Sequence, residues 1–401
     1  MQKQRAIIVG GSIGGLFAAN LLAKLGWTVD VYERVADDLA GRGAGIGTHD
    51  ELFAVMRELG IAMDETIGVR VTERVCLDER GAVLHRLVWP HVMSHWVRIY
   101  QPLRERLLPG SYHAGRGFVD FSDDDDEIVA HFDDGSCARG ELLVGADGLR
   151  STVRARLFAD VQPAYAGYVG WRGIVAENEL PERLRAELGS SYYFALPPGE
   201  MLVCYPVPGR SWNYVWYRPV LSDAELHDLG TDAAGRHHGP AIPPPLVRSD
   251  VAAKLKQAAR TLLAPRLAAV VEYTQPFFQA IYDVETPRIA AGRVALVGDA
   301  AFVARPHVGM GVTKAALDAA CLARSLEIHR DVEQALRRYA GLRGEFGRRC
   351  VARGRQLGAY IEARARPHLA WAPEALDQRP ERVLREIGAT MAEIPELQLG
   401  I

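Results

Sequence analysis

The stretch Ala6-Ile7-Ile8-Val9-Gly10-Gly11-Ser12-Ile13-Gly14-Gly15-Leu16 decides the fold of this chain. Its β-branched run reads as a buried parallel strand. The Ala- and Leu-rich stretch Leu16–Leu25 that follows predicts a helix stopped by Gly26. A second strand, Thr28-Val29-Asp30-Val31-Tyr32-Glu33, then closes on an acid. Strand, glycine turn, helix, strand and an acidic residue about twenty positions after the glycines make a dinucleotide fingerprint. In it Gly10 makes the tight turn, Gly15 lets helix and strand approach, and amides around Ser12, Ile13 and Gly14 point at a pyrophosphate. Glu33 is placed to accept hydrogen bonds from an adenosine ribose. The middle glycine of G-x-G-x-x-G is replaced by Ser12, which weakens the motif while adding a hydroxyl donor.

Two more glycine turns end apolar runs far downstream. Leu142-Leu143-Val144-Gly145-Ala146-Asp147-Gly148 precedes Ser151, which stands near the start of a further helix. An alternating segment, Glu127–Phe132, and the turn Asp133-Asp134-Gly135 form a hairpin leading into that strand. The acidic run Asp123–Asp126 reads as a solvated loop and not as a metal site. Later, Arg293-Val294-Ala295-Leu296-Val297-Gly298-Asp299 leads through Phe302-Val303-Ala304-Arg305-Pro306-His307-Val308 to Gly309-Met310-Gly311, which opens an Ala-rich helix, Val312–Leu326. Bare amides at that helix N-terminus favour an anionic ring, and reduced flavin is one. Asp299 is placed to accept from ribityl hydroxyls. Three such turns in this order suit one long dinucleotide held at its adenine end, its centre and its flavin end.

Composition points to a soluble, cytoplasmic enzyme. The 401 residues are 48% hydrophobic and 24% charged, enough for a large core. A formal charge of -3 offers no electrostatic case for nucleic acid or an anionic membrane, and no apolar run approaches the length of a bilayer span. The chain enters a strand almost at once, which leaves no room for a signal peptide. Five dispersed cysteines without a C-x-x-C pair read as reduced structural thiols, with no metal site expected.

Taken together, the three motifs resemble those of the FAD-dependent aromatic hydroxylases, the single-component flavoprotein monooxygenases of the p-hydroxybenzoate hydroxylase fold. The late motif is similar to the family's G-D-A-A-H-x-x-x-P-x-x-G-x-G pattern, with Phe302 in place of the usual His and Met310 between the two glycines. The resemblance implies that Asp299 serves the ribityl chain, Pro306 the cavity beside the ring, and Gly309, Met310, Gly311 and Val312 the isoalloxazine. It assigns Asp147, with Gly148, to both FAD and a visiting NAD(P)H. Arg34 and Arg42 are counted with the cofactor-binding residues. Tyr165–Gly173, Tyr205–Gly209 and Arg305-Pro306-His307 further resemble the 2,6-dihydroxypyridine 3-hydroxylase subfamily. The expected reaction is that of the family. NAD(P)H reduces non-covalent FAD, dioxygen forms a flavin 4a-hydroperoxide, and its distal oxygen passes to an electron-rich aromatic ring, a hydroxylated pyridine or similar N-heteroaromatic, as in pyridine degradation. A homodimer is left open.

The expected architecture is α/β: a discontinuous Rossmann-like FAD-binding domain (1–160 and 285–350), an inserted antiparallel-sheet substrate domain (161–284) joined by strands from 76–97, and C-terminal helices over 351–401. The insert carries aromatic strands Tyr165–Ala176, Ser191–Leu196, Met201–Pro206 and Trp212–Pro219. Leu229–Pro245, with His237 and His238, reads as an exposed loop. In Trp212–Tyr217 the side chains alternate, with Trp212, Tyr214 and Trp216 on one face and Asn213, Val215 and Tyr217 on the other; periodicity does not say which face roofs the site. Tyr205 and Tyr217 are candidates to bond a ring oxygen, and equally fit buried packing. His307 and His49 are candidates to deprotonate a phenol-like substrate. Two rivals stay open: a related flavoprotein of other chemistry, such as a reductase or a halogenase, although the halogenase signature W-x-W-x-I-P is absent, and a non-catalytic nucleotide-binding regulator.

Overall fold

Residues 6–9 are buried throughout, as a central parallel strand requires. In the computed structural model, which describes residues 4–39, 45–62, 67–124, 127–365 and 377–389, Arg5–Val9 sits inside a six-stranded sheet. The order runs Ala290–Ala291, Val294–Leu296, Leu142–Gly145, Arg5–Val9, Thr28–Glu33, Tyr112–Ala114, and every pairing but the first is parallel. All three glycine motifs therefore leave adjacent strands of one sheet at the same end, where open α/β sheets hold ligands. The first helix runs Ile13–Lys24 and the third motif opens Gly311–Ile328, each slightly longer than its apolar pattern predicts. These two helices pack together on one face of the sheet.

A larger sheet, ten-stranded among the described residues, stands beside it. Its centre is Ala164–Ala176, Ser211–Pro219, Met201–Val207 and Tyr192–Ala195, paired antiparallel in the first two contacts and between the last two. Gly68–Leu77, Val83–His95 and Gly45–Gly47 extend it, with Tyr192–Ala195 and Gly68–Leu77 parallel. The contribution from the N-terminal part thus begins at residue 45 and not at 76, because Gly45–Gly47 pairs with Met93, Ser94 and His95.

Two cores share this sheet. Trp212, Tyr214 and Trp216 enter one with the helices Ser249–Leu262 and Pro265–Glu272, while Val215 and Tyr217 join the other, continuous with the six-stranded sheet. The alternation read from the sequence holds, and the structure supplies its sense. The expected boundary at 350 does not exist as a break: Val332–Ala365 is one helix of 34 residues, running from the nucleotide side to the insert. Phe302 is keyed into that helix at Gly347, where a Cβ would lie 2.0 Å from the ring. The expected loop at 229–245 carries a two-residue strand, Ala241–Ile242, and there His237 stacks on His227 at 4.2 Å while His238 bonds Asp232 at 2.7 Å. No helix of the described residues is long and apolar enough to cross a membrane, and among them no group of three or more His, Cys, Asp or Glu is arranged to hold a metal.

Candidate active site

At the first motif the backbone itself demands glycine. Gly10 has φ 109°, and a Cβ there would lie 2.4 Å from the Ala146 carbonyl oxygen; at Gly15 it would lie 1.9 Å from the Gly10 oxygen. Glu33 binds this turn back to its strand: its Oε2 accepts from Gly11 N–H at 2.8 Å and its Oε1 from Val35 N–H at 2.9 Å. A cleft of about 680 Å³ opens here, lined by Gly10, Ser12, Glu33, Arg34 and Asp147 among others. Ile13, Gly14 and Gly15 stand outside its wall: Ile13 is core, Gly14 abuts Ala315, and Gly15 sets the helix–strand contact. Arg42 lies outside the described residues.

Asp147 is committed to its own helix. Its Oδ1 accepts from the Ser151 hydroxyl at 2.5 Å and its Oδ2 from the amides of Thr152 (2.6 Å) and Val153 (3.2 Å), capping Thr152–Leu157. Burial pushes its pKa up and these bonds oppose the shift. What Asp147 offers a cofactor is therefore the shape and charge of the turn more than a free acceptor.

Past this cleft lies a second cavity of about 410 Å³, lined by Asp299, Pro306, His307, Gly309, Gly311 and Val312. Gly45, Ile46, Arg172 and Gln279 belong to both walls, so the two spaces form one groove running from Glu33 to the N-terminus of Gly311–Ile328. Gly309 takes a left-handed φ of 69°, and nothing lies within 4 Å of a Cβ placed on Gly311, so bare amides face open space. The Met310 side chain points away, 1% exposed. The Asp299 side chain opens into the groove, and the protein around it pushes its pKa up while the Lys314 ammonium, 3.8 Å from Oδ1, opposes. A groove with an acid at one end, a glycine turn in the middle and an 18-residue helix pointing its positive end at the far cavity fits an extended flavin dinucleotide.

The roof of the far cavity comes from the inserted sheet. Tyr192, Tyr205 and Tyr217 line it, and none of their hydroxyls makes a hydrogen bond within the described residues. Burial raises the pKa of all three, Tyr217 to about 12, so they stay neutral donors. Asn213, on the Tyr217 face of its strand, accepts from Gly45 N–H at 3.1 Å and pins the cavity rim. His49 lies across the cavity with Nδ1 2.9 Å from the Thr313 hydroxyl and Nε2 unpartnered; burial lowers its pKa to about 4.

His307 corrects an expectation. It lines the cavity, yet its Nε2 is 2.8 Å from the Tyr168 hydroxyl, its Nδ1 is buried without a partner, and burial holds its pKa at about 3. With neither nitrogen turned to the cavity, His307 is poorly placed as a base. The sequence reading missed His91, Arg172, Tyr192 and Gln279. His91 lines the cavity, makes no hydrogen bond among the described residues, and has its pKa lowered to about 3 by burial and by Arg74 and His49. A charge inside the aromatic, glycine-rich run Gly170-Trp171-Arg172-Gly173 was a readable signal for Arg172; nothing local marks His91.

Comparison with known proteins agrees with this geometry. Residues 165–283 match a family described as FAD binding domain-like. Over 344 residues, 83% of this chain and 85% of the relative, the chain is 32% identical to 2,6-dihydroxypyridine 3-monooxygenase of Paenarthrobacter nicotinovorans. The solved structure of 2,6-dihydroxypyridine-3-hydroxylase from Arthrobacter nicotinovorans superposes with a TM-score of 0.85 at 28% identity, covering 95% of this chain and 96% of that one. That of Klebsiella pneumoniae HpxO complexed with FAD and uric acid gives 0.74 at 26% identity, covering 88% and 87%. With its groove, its three glycine motifs and these relatives, the chain belongs to the FAD-dependent aromatic hydroxylases, the single-component flavoprotein monooxygenases.

Proposed function

We propose that this enzyme uses NAD(P)H and dioxygen to place one hydroxyl group on an electron-rich N-heteroaromatic ring, a hydroxylated pyridine or a near relative. The observation that carries the reading is the far cavity. Three neutral tyrosine hydroxyls and the neutral imidazole of His91 face it without protein partners, beside the amide-rich end of Gly311–Ile328. A ring carrying both donors and acceptors at its edge satisfies such a set, whereas a plain hydrocarbon ring leaves it unpaired. The likeness to a dihydroxypyridine monooxygenase supports the same substrate class.

Bound FAD supplies the electron transfer and the activation of oxygen. The chain supplies the rest. Gly10, Ser12 and Glu33 hold the adenosine half and the pyrophosphate, Asp299 accepts from the ribityl chain, and the amides of Gly309 to Val312 stabilise negative charge on the ring. Tyr205 and Tyr217 orient the substrate edge. His49 and His91 stay neutral above about pH 5, because both pKa values are depressed; His91 meets the substrate as an uncharged hydrogen-bonding group, and His49 holds the wall through Thr313. His307 positions the wall through Tyr168.

The test begins with acid release of the flavin and its chromatographic identification as FAD. Hydroxylated pyridines and benzoates are then screened for stimulated NADH and NADPH oxidation, with mass spectrometry for a product heavier by one oxygen. Benzoate turnover without any heterocycle turnover would overturn the substrate class; stimulation by nothing, with FAD bound, would favour a non-catalytic nucleotide-binding protein.

A further inference from the structure

One wall of the far cavity comes from a part of the chain that no glycine motif marks. Ile387 and Gly388 line the cavity, directly after the short helix Pro380–Glu386. Gly388 N–H donates to the His307 carbonyl at 2.8 Å, and a Cβ on Gly309 would stand 3.0 Å from the Gly388 Cα. The segment 377–389 is thus laid against the same Pro306–Gly311 loop that receives the flavin ring.

The Arg353–Glu386 ion pair (2.9 Å) and the Gln378 side chain on the carbonyls of Pro197 and Glu200 hold the outer part of this segment, and a buried guanidinium fastens the end that meets the cavity. Arg74, 0% exposed on strand Gly68–Leu77, donates through Nη1 to the carbonyls of Leu384 (2.8 Å) and Ile387 (2.6 Å), and through Nη2 to that of Gly388 (3.1 Å). These are orphan carbonyls at a helix C-terminus, where a cation is also favoured by the helix dipole. The planar fork reaches all three at once, which a lysine ammonium on its thinner stem does not match. The guanidinium carbon lies 4.7 Å from the Trp89 ring centroid and 5.5 Å from that of Tyr192, itself a cavity residue.

We propose that Arg74 is a positioning residue for the oxygenation: it latches the segment 377–389 as the closing wall of the ring cavity and so keeps bulk water from the reacting oxygen. It touches neither cofactor nor substrate and acts through Ile387 and Gly388. Loss of the latch leaves the adenosine cleft and the glycine turns intact, while water enters beside the ring and reduced oxygen leaves as peroxide instead of entering product. The inference rests on the monooxygenase reading for its consequence, but the latch itself is testable without any substrate.

The experiment uses the full-length holoenzyme and Arg74→Met. Trypsin is the probe of the latch, since Arg382 and Arg385 lie within the helix of the segment and are cut only when it opens, whereas the Arg379–Pro380 bond resists trypsin. Cleavage at these two sites is expected to quicken ~tenfold or more, as losing charged hydrogen bonds implies, with other sites and FAD content unchanged. With 2,6-dihydroxypyridine as probe substrate, product per NADH falls and peroxide rises in proportion. Arg74→Lys, which keeps the charge without the fork, falls between wild type and Arg74→Met, and decides alone if Arg74→Met does not fold. Cleavage at the wild-type rate overturns the latch. Faster cleavage with product per NADH unchanged overturns its part in the reaction. Where the probe substrate is not turned over, the failure belongs to the substrate class, and the proteolysis arm still decides the latch.

Discussion

The Tyr168 hydroxyl and Nε2 of His307 stand 2.8 Å apart, both sealed from solvent. Burial raises the phenol pKa well above its usual range and lowers that of the imidazole to about 3, so neither ionises near neutrality. The two therefore share one hydrogen bond as an uncharged pair. Beneath them Arg305, 4% exposed at its side chain, pairs with Asp283 (3.0 Å) and Glu362 (2.7 Å) and lies 5.7 Å from the Tyr168 ring. The Pro306–Gly311 loop is thus anchored by a hydrogen-bonded neutral pair resting on an ion pair.

Substituting Gly358 with Ala should break that anchor. The added Cβ would lie 2.4 Å from the Tyr168 hydroxyl and 2.9 Å from His307 Cδ2. Overpacking of this kind costs about 1–3 kcal/mol. Denaturant melts should show the loss, with a rise in unproductive NAD(P)H oxidation and little change in FAD content.

Acid should destabilise the protein in a defined window. His49, His91 and His307 have folded pKa values depressed to about 4, 3 and 3, below the unfolded value of 6.5. Between those limits the unfolded chain binds more protons, so stability is full above about pH 6.5 and falls as pH drops toward 4. Each histidine should forfeit about 2 kcal/mol by pH 5. Urea unfolding at pH 7, 6 and 5 measures the slope; a flat profile would mean that these imidazoles are solvated.

Replacing Asp299 with Ala should release flavin while leaving the fold intact. A charged hydrogen bond to the ribityl chain is worth about 1.5–3 kcal/mol, or roughly tenfold or more in affinity. The loss also leaves the Lys314 ammonium, 2% exposed at its side chain, with Asp318 as its remaining carboxylate at 3.8 Å. Fluorescence titration of apoprotein with FAD gives the comparison, and an unchanged Kd would refute the assignment.

Tyr217→Phe should separate binding from folding. The hydroxyl has no partner within the described residues, so thermal stability should hold or rise, while KM for the substrate increases about two- to tenfold and FAD affinity stays fixed. Stability loss with unaltered KM would make Tyr217 a packing residue only.

The strand–turn–helix–strand unit at the first glycine motif was legible because its determinants are local. Gly10, Ser12 and Glu33 fall within one strand–turn–helix–strand unit, and the close approach of Gly15 to Gly10 is a five-residue affair. The alternation of Trp212 and Tyr217 was legible too, but its sense depended on which core each face met. The hydrogen bond from Arg74 to Leu384 spans 310 positions, so no window of sequence carries it. His91 was hidden for the same reason, since its neighbours His49 and Gly47 reach it only through sheet pairing of residues 45–47 with 93–95. His307 was visible as a residue but not as an environment: its place in the Pro306–Gly311 loop is sequence-local, whereas its capture by Tyr168 spans 139 positions.

Phe302 in the notch of Gly347 carries a consequence for how such an enzyme changes over generations. The ring occupies the volume that any side chain at 347 would need, with a Cβ only 2.0 Å away. Position 302 stands where the family pattern has His, so exchange at one site alters what the other tolerates. A lineage could drop the phenyl group first and survive with a void, whereas enlarging 347 first would collide with it. The path between the two pairings has a permitted order, and reconstructed intermediates expressed in both orders would reveal it as one soluble series and one that fails to fold.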